Sequence, residues 1–158
     1  KSRAMAGLRI GFCIGSEKLI KYLNDVKFSF NSYTMNMPAQ ILGVEAVKDD
    51  AYFKSITAKI QATRERTKKE LTELGFTFPD SKANFIFASH KSVPAKEIYQ
   101  ALREQNIYVR FWDKDRIRNN LRITIGTDEE MKVLIEFLKE LPDYDKSLYI
   151  HSNRLQNS

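Results

Sequence analysis

Two cationic side chains lie eight positions apart at the start of the sequence, and both could bind one anionic ligand. Lys1 and Arg9 flank a run of small residues, and an apolar segment from Leu8 to Ile14 follows. A lysine amine becomes a nucleophile when its surroundings favour the neutral form, and an arginine presents a planar fork that suits a phosphate. Gly7 would let the backbone pass close to such a ligand. Two solvated cations would give the same spacing, so the spacing alone leaves both interpretations open.

Two further arginines form a second candidate anion site. Arg110 lies in the strand-like run Ile107 to Trp112, and Arg122 lies in the run Leu121 to Thr127. The loop between the runs is short, so pairing of these neighbouring strands would bring the two side chains together. Apolar residues alternate strictly in the second run, and Arg122 lies on the opposite face. A charge there is costly unless a ligand anion or a carboxylate of the chain neutralises it, and both partners stay open.

The elements around Lys1 and Arg9 are predicted to be a strand, a helix and a loop. The segment Leu8 to Ile14 has the pattern of a buried strand, with Cys13 as a small core residue. Ser16 can cap a helix of about ten residues that ends near Val26. An uncharged, aromatic and amide-rich loop, Phe28 to Asn36, follows. Such a loop is more typical of packing than of chemistry.

A helical pattern covers most of the sequence from Ala39 to Leu74. Pro38 suits the first turn of a helix, and Asp49 with Asp50 indicates a break between two helices. One face is apolar and the other is charged, and we expect the charged face to be solvated. The apolar face consists of Ile41, Leu42, Val44, Ala46, Val47, Phe53, Ile56 and Ile60; the charged face consists of Lys59, Arg64, Arg66, Lys68, Lys69 and Glu70.

Strands and helices alternate after Gly75, which is placed to end the long helical region. A helix is predicted from Val93 to about Asn106, and the residues from Thr127 to Glu130 read as a capping box that opens a final helix. Pro142 would stop that helix. The predicted strands are Ala83–Ala88, Ile107–Trp112 and Leu121–Thr127.

Composition indicates an ordinary globular protein. The chain has 158 residues, of which 42% are hydrophobic and 29% charged, with a net charge of +6. Acidic and basic residues are interleaved, so we expect no nucleic-acid partner. One cysteine allows no internal disulfide and fits a reduced, cytoplasmic setting. No run is long enough to span a membrane, and His90 and His151 are too far apart in sequence to predict a metal site.

Three stretches resemble the pyridoxal-phosphate aminotransferases of fold type I, classes I and II, in particular the histidinol-phosphate aminotransferase group. They are Lys-Ser-Arg-Ala-Met-Ala-Gly-Leu-Arg-Ile-Gly-Phe at 1–12, Ala-Asn-Phe at 83–85 and Leu-Arg-Ile-Thr-Ile-Gly-Thr at 121–127. The resemblance covers residues 1 to 141. Two positions depart from the family pattern, since Ala4 stands where relatives have glycine and Arg3 adds charge beside the lysine.

The resemblance implies a pyridoxal 5'-phosphate cofactor. Lys1 would be the catalytic Schiff-base lysine, and Arg9 would hold the cofactor phosphate. The family's phosphate loop, its aspartate on the pyridine nitrogen and its ring-stacking aromatic precede the lysine, and this sequence contains no counterpart of them. We therefore expect a C-terminal portion of such an enzyme that does not turn over alone.

The resemblance also implies substrate-binding residues. Arg122 would bind the substrate carboxylate, Arg110 would lie near the substrate phosphate, and Asn31 and Tyr33 would lie in a segment near the active site and dimer interface. The substrates would be an amino compound such as histidinol phosphate and the 2-oxo acid 2-oxoglutarate, acting in a homodimer. Alternatives that stay open are an aminotransferase for aromatic or other amino acids, a phosphothreonine decarboxylase, a non-catalytic α/β interaction module and a basic nucleic-acid binder.

The predicted fold class is α/β, with an α+β small domain. Residues 1–36 would be the end of the cofactor-binding large domain, and residues 37–75 would be a linking helix or helix pair. Residues 76–141 would form the small domain, a two-layer sandwich of helices on a sheet. Residues 142–158 would be a polar tail.

Overall fold

The computed structural model describes residues 3–141. Lys1 therefore lies outside the described residues, as do Pro142, His151 and the predicted tail. The chain divides into two compact units, Lys1–Thr57 and Ala58–Ser158. The predicted boundaries at residues 36, 75 and 141 stay predictions.

The described part of the first unit is helical. A short 3-10 helix, Ala6–Leu8, precedes helix α1, Glu17–Phe30, and helix α2, Met37–Lys48. Helix α3, Asp50–Glu73, begins two residues after α2 ends and runs beyond the first unit. Asn36 caps α2 by accepting a 2.8 Å hydrogen bond from the amide of Ala39. The break predicted at Asp49 and Asp50 is confirmed.

The strand predicted from Leu8 to Ile14 is wrong. The 3-10 helix takes its first residue, and the rest has no regular secondary structure; the side chains of Phe12 and Ile14 are 91% and 87% exposed. A strand needs a neighbouring strand for its backbone groups, and residues 3–57 contain none. Cys13 is exposed rather than buried for the same reason.

The apolar residues of the first unit form no enclosed core. Among residues 3–57 only Ala39 is buried. The apolar side chains predicted to line α2 are solvent-facing; Ile41 and Val47, for example, are 57% and 63% exposed. Helix α1 is also longer than predicted, and Ser16 at its N-cap makes no side-chain capping bond. An apolar surface of this extent is typical of a protein-protein contact surface.

The second unit is built on a four-stranded antiparallel sheet. Its strands are β1, Phe76–Thr77, β2, Phe85–His90, β3, Arg110–Phe111, and β4, Leu121–Thr124, in the order β1-β2-β4-β3. Helices α4, Ala95–Glu104, and α5, Asp128–Glu140, complete the unit. Only two residues of the run Ile107–Trp112 pair as a strand.

One face of this sheet is covered by helices and forms the core. Alternate residues of β2 and β4 point into it, so that Ile86 pairs with Ile123 and Ala88 pairs with Leu121. The core helices contribute Leu71, Ile98, Leu102, Met131, Leu134, Ile135 and Leu138. The α/β fold class is confirmed. The opposite face of the sheet carries the side chains of Phe85, Phe87, Arg122 and Thr124.

Three predicted helix-end signals of the second unit are confirmed, whereas α4 begins at Ala95 rather than at Val93. Thr127 and Glu130 form the capping box of α5, with hydrogen bonds of 2.8 and 3.2 Å. Gly75, with φ 85°, ends α3, and Asn106, with φ 58°, follows α4. None of the helices in residues 3–141 has the length and apolar character needed to cross a bilayer.

The prediction that the charged face of α3 is solvated is wrong at Arg64. This arginine is only 7% exposed, and its Nη1 donates a 3.1 Å hydrogen bond to the carbonyl of Ala83. Glu65 accepts from its Nε at 3.0 Å. The helical pattern places Arg64 among charged neighbours, but the loop before β2 packs over it. Tertiary packing therefore converts a surface cation into a buried one.

Candidate active site

The segment that follows Lys1 is held to the first unit by Arg3. Its Nη1 donates a 2.6 Å hydrogen bond to the carbonyl of Ala46, in the last turn of α2. Its guanidinium also lies over the ring of Phe53, 4.1 Å from the centroid. Carbonyls in the last turn of a helix lack intrahelical partners, so a cation there is favourable. The charge of Arg3 is thus directed to α2 and α3.

Arg9 is the exposed cation of this segment. Its side chain donates one long hydrogen bond, 3.5 Å from Nη1 to the carbonyl of Ala6, and no carboxylate in residues 3–141 pairs with it. It lines a concave surface of about 640 Å³ together with Arg3 and Leu8. A Cβ added at Gly7 would meet nothing within 4 Å. The guanidinium is therefore accessible from solvent and is not neutralised by a carboxylate in the described residues.

Asn31 and Tyr33 follow α1 and are both exposed. Asn31 is the C-cap residue of α1, and its amide donates a 2.7 Å hydrogen bond to the carbonyl of Lys27. Tyr33 is 96% exposed. The backbone of Asn31 thus has a structural role, and the side chain of Tyr33 is available to a ligand or another surface.

Arg110 and Arg122 are brought together by the sheet. They are direct cross-strand partners of β3 and β4, on the face away from the helices. Arg110 is exposed and Arg122 is half-buried. Like charges directly opposite one another in a sheet repel, so the pair favours an anion between or above them.

Arg122 is flanked by two aromatic rings and has no carboxylate partner among residues 3–141. Its Cζ lies 5.5 Å from the ring centroid of Phe85 and 5.5 Å from that of Trp112. Its Nε is buried and has no hydrogen-bond partner. The internal ion pair left open by the sequence is therefore not made in this part of the chain. A half-buried cation in this state is suited to bind an anionic ligand.

Comparison with known proteins decides the family. The model of the family "Aminotransferase class I and II" matches residues 1–138. This chain belongs to the class I and II aminotransferases. A histidinol-phosphate aminotransferase of Brachyspira hyodysenteriae is 52% identical over 139 residues, which are 88% of this chain and 39% of that protein. The chain thus spans about two fifths of the length of the curated relatives it matches.

Solved structures show the same fold. The histidinol-phosphate aminotransferase of Clostridium acetobutylicum has a TM-score of 0.75 at 24% identity, with 89% of this chain and 42% of that chain covered. The enzyme of Sinorhizobium meliloti, solved in complex with pyridoxal-5'-phosphate, has a TM-score of 0.70 at 21% identity, with 89% and 39% covered. At these identities the likeness establishes the fold alone.

Sequence reasoning missed the contacts of Arg3 and the two side chains that contact Arg122. Arg3 was expected only to add charge beside Lys1. Phe85 was noted within Ala-Asn-Phe, and Trp112 within a strand, without a link to Arg122. The alternation of β2 could have indicated that Phe85 shares a face with Arg122, but that requires the register between the strands.

The loop before β2 is anchored to α3 by a charge network. Lys68 contacts Asp80 at 2.5 Å and Glu65 at 2.9 Å, and Lys82 contacts Asp80 at 3.0 Å. Hydrogen bonds from Lys68 and then Lys82 hold the pKa of Asp80 at about 2, below its usual 3.8. The same contacts lower the pKa of Glu65 and raise the pKa of Lys68. This network ties the loop at Asp80 to α3, five residues before Phe85.

His90 has a structural environment. Its Nδ1 accepts a 3.0 Å hydrogen bond from the amide of Val93, and its Nε2 lies 2.9 Å from the carbonyl of Leu74. Both ring nitrogens are thus engaged by the backbone. Residues 3–141 contain no cluster of three or more side chains that could hold a metal ion.

Proposed function

We propose that this chain is the C-terminal part of a pyridoxal-phosphate aminotransferase. The enzyme would transfer an amino group between histidinol phosphate, or a similar amino substrate, and 2-oxoglutarate. The observation that carries the proposal is Arg122, a half-buried cation without a carboxylate partner in residues 3–141, within a chain 52% identical to a histidinol-phosphate aminotransferase. A substrate carboxylate supplies the charge that Arg122 lacks.

The residues of the first unit fit the cofactor. Arg9 is exposed, has no carboxylate partner in residues 3–141 and lines a concave surface beside an open Gly7. It would hold the cofactor phosphate by a forked, charge-assisted contact. Lys1, which lies outside the described residues, would supply the amine that attaches the cofactor. When bound, pyridoxal phosphate supplies an electron sink for the electron pair released at the substrate Cα.

The residues of the chain would divide the remaining work between binding and proton transfer. The Nζ of Lys1 would take the proton from the substrate Cα as general base. It would then deliver a proton to the C4′ carbon of the cofactor as general acid. Arg122 would bind the carboxylate of the 2-oxo acid, and Arg110 would bind the phosphate of the amino substrate. Asn31 and Tyr33 would contact the substrate or the dimer partner.

We infer that the chain works with the further residues that complete such an enzyme. Its apolar first-unit surface, with Phe12, Phe30 and Tyr33 at least 90% exposed, supports such a contact. The aspartate that keeps the ring nitrogen protonated in the family has no counterpart in this sequence, so the chain alone should not turn over. The complete enzyme would be a homodimer of the cytoplasm.

Borohydride trapping tests this function. The complete enzyme is incubated with pyridoxal phosphate, reduced with sodium borohydride, digested and analysed by mass spectrometry. We expect the pyridoxyl label on Lys1, and a Lys1→Ala variant should lose it. Lys18 and Lys21, exposed on α1, serve as internal controls for non-specific labelling. Absence of label on Lys1 would refute the catalytic proposal.

Substrate identity requires a separate assay. We expect a higher kcat/KM with histidinol phosphate than with phenylalanine or tyrosine, because Arg110 and Arg122 offer two cations to a phosphate-bearing substrate. A preference for the aromatic amino acids would assign the chain to another specificity within the family. Release of carbon dioxide from a phosphorylated amino acid would instead indicate a decarboxylase.

A further inference from the structure

We propose that Phe85 and Trp112 form an aromatic clamp that fixes the guanidinium of Arg122, with its terminal nitrogens Nη1 and Nη2 presented to the substrate carboxylate. The inference rests on the proposed function of Arg122. It makes both rings positioning residues for that carboxylate.

The clamp arises from the order of the strands. Phe85 begins β2, Trp112 directly follows β3, and β4 with Arg122 lies between β2 and β3. The two rings therefore reach the guanidinium from both neighbouring strands, each with a centroid 5.5 Å from Cζ. A guanidinium within about 6 Å of a ring centroid is attracted by the ring's quadrupole.

The same enclosure decides which edge of Arg122 a ligand can reach. Its Nε is buried without a hydrogen-bond partner, so the edge formed by Nε and one terminal nitrogen is closed to an anion. The edge formed by Nη1 and Nη2 remains, and neither atom has a partner in residues 3–141. A carboxylate would bind this edge end-on with two parallel hydrogen bonds.

Such a clamp raises affinity by reducing the freedom that binding removes. An unrestrained arginine side chain has many rotamers, and a ligand must select one of them. The rings restrict Arg122 before the ligand arrives, so less conformational entropy is lost on binding. They also supply the attraction that partly replaces the hydrogen bond missing at Nε. Removing one ring should therefore weaken carboxylate binding without affecting proton transfer by Lys1.

The test is the steady-state kinetics of the complete enzyme with 2-oxoglutarate. We expect Trp112→Leu to raise the KM for 2-oxoglutarate about three- to tenfold and to leave kcat within about twofold, the range of one cation–π contact. Trp112→Phe keeps a ring and should restore most of the affinity. An unchanged KM in Trp112→Leu would overturn the clamp, as would an equal increase in Trp112→Phe.

Tyr99→Leu is the matched control. Tyr99 stacks on Phe111 at 5.4 Å and lies under Arg103 at 5.7 Å, so this variant also loses a ring stack and a cation–π contact. Tyr99 and Phe111 pack against the core, on the face of the sheet opposite Arg122. We expect a lower midpoint of thermal unfolding with the KM unchanged. If Tyr99→Leu raises the KM as much as Trp112→Leu does, the effect at Trp112 is one of general destabilisation and the clamp is refuted.

A spectroscopic readout separates the clamp from the proposed function. Trp112 is the only tryptophan of the chain. Subtracting the fluorescence spectrum of Trp112→Phe from that of the wild type isolates the emission of Trp112. This emission should change on titration with 2-oxoglutarate, and Arg122→Ala should abolish that change. If Arg122→Ala raises the KM while Trp112→Leu does not, only the clamp fails. If Arg122→Ala leaves the KM unchanged, the proposed function of Arg122 fails as well.

Discussion

Arg110 and Arg122 are direct cross-strand partners, and they differ in their surroundings although both belong to one antiparallel pair. Arg110 is exposed, whereas Arg122 is half-buried between two aromatic rings. The difference follows from their positions, because β4 is an inner strand and β3 lies at the edge of the sheet. Arg122 is thus the more constrained of the two cations and the better candidate for a fixed ligand contact.

Removal of the Arg122 cation should chiefly affect substrate binding. We expect Arg122→Ala to raise the KM for 2-oxoglutarate about tenfold to a hundredfold, the range of a charge-assisted hydrogen-bonded contact. The effect should be smaller for monocarboxylic substrates, because they lack the second carboxylate of 2-oxoglutarate. Steady-state kinetics of the complete enzyme measures this, and an unchanged KM would refute the carboxylate role.

Replacement of Ala4 by glycine should stabilise the fold. Its φ is 56°, in the left-handed region that a Cβ disfavours. We expect Ala4→Gly to stabilise the cofactor-free protein by about 1 kcal/mol in urea unfolding. Ala6→Gly is the matched control, since Ala6 lies in the 3-10 helix without positive φ, and it should be neutral or destabilising. A loss of stability in Ala4→Gly would contradict the left-handed conformation.

Substitution of Arg3 should affect the stability of the fold, whereas substitution of Arg9 should affect cofactor binding. We expect Arg3→Met to lower the free energy of unfolding of the cofactor-free protein by about 1 to 3 kcal/mol, because it loses the bond to Ala46 and the contact with Phe53. Arg9→Met should leave that free energy nearly unchanged and weaken binding of pyridoxal phosphate. Urea unfolding and absorbance titration measure the two quantities. Equal destabilisation by both variants would argue against the distinction.

Neighbouring arginines of α3 should differ in their contribution to stability. We expect Arg64→Met to cost about 2 to 3 kcal/mol, since Arg64 is only 7% exposed and its guanidinium donates to the carbonyl of Ala83 and to Glu65. Arg66→Met should cost less than about 1 kcal/mol, because the side chain of Arg66 is 44% exposed in its ion pair with Asp128. Chemical denaturation of both variants checks the contrast, and a similar loss in each would contradict the burial of Arg64.

Asp80 should contribute to stability at mildly acidic pH. Its folded pKa of about 2 is below the usual 3.8, so its ion pairs stabilise the fold above pH 3.8 and are lost as the pH falls towards 2. We expect Asp80→Asn to flatten the dependence of the free energy of unfolding on pH between about 2 and 3.8. Glu129→Gln, an exposed carboxylate on α5, is the control. An unaltered slope in Asp80→Asn would show that the network with Lys68 does not form.

Much of the second unit was predictable because its elements obey local rules. The alternation of Leu121 to Ile125, the capping box at Thr127 and the helix end at Gly75 each depend on a few adjacent residues. The strand predicted from Leu8 to Ile14 failed because its apolar composition says nothing about a partner strand. Burial of Arg64 was missed because it depends on the loop before β2, which lies nineteen positions away at Ala83.

The sequence by itself determined the family and the candidate cations, since Lys1, Arg9, Arg110 and Arg122 lie in motifs that are read locally. Only the tertiary structure decided what surrounds them. Strand order and register place Arg110 opposite Arg122 and place Phe85 and Trp112 on either side of Arg122. The physical reason is that side-chain neighbours across a sheet depend on pairing between distant segments, and a shift of one residue would turn each side chain to the other face.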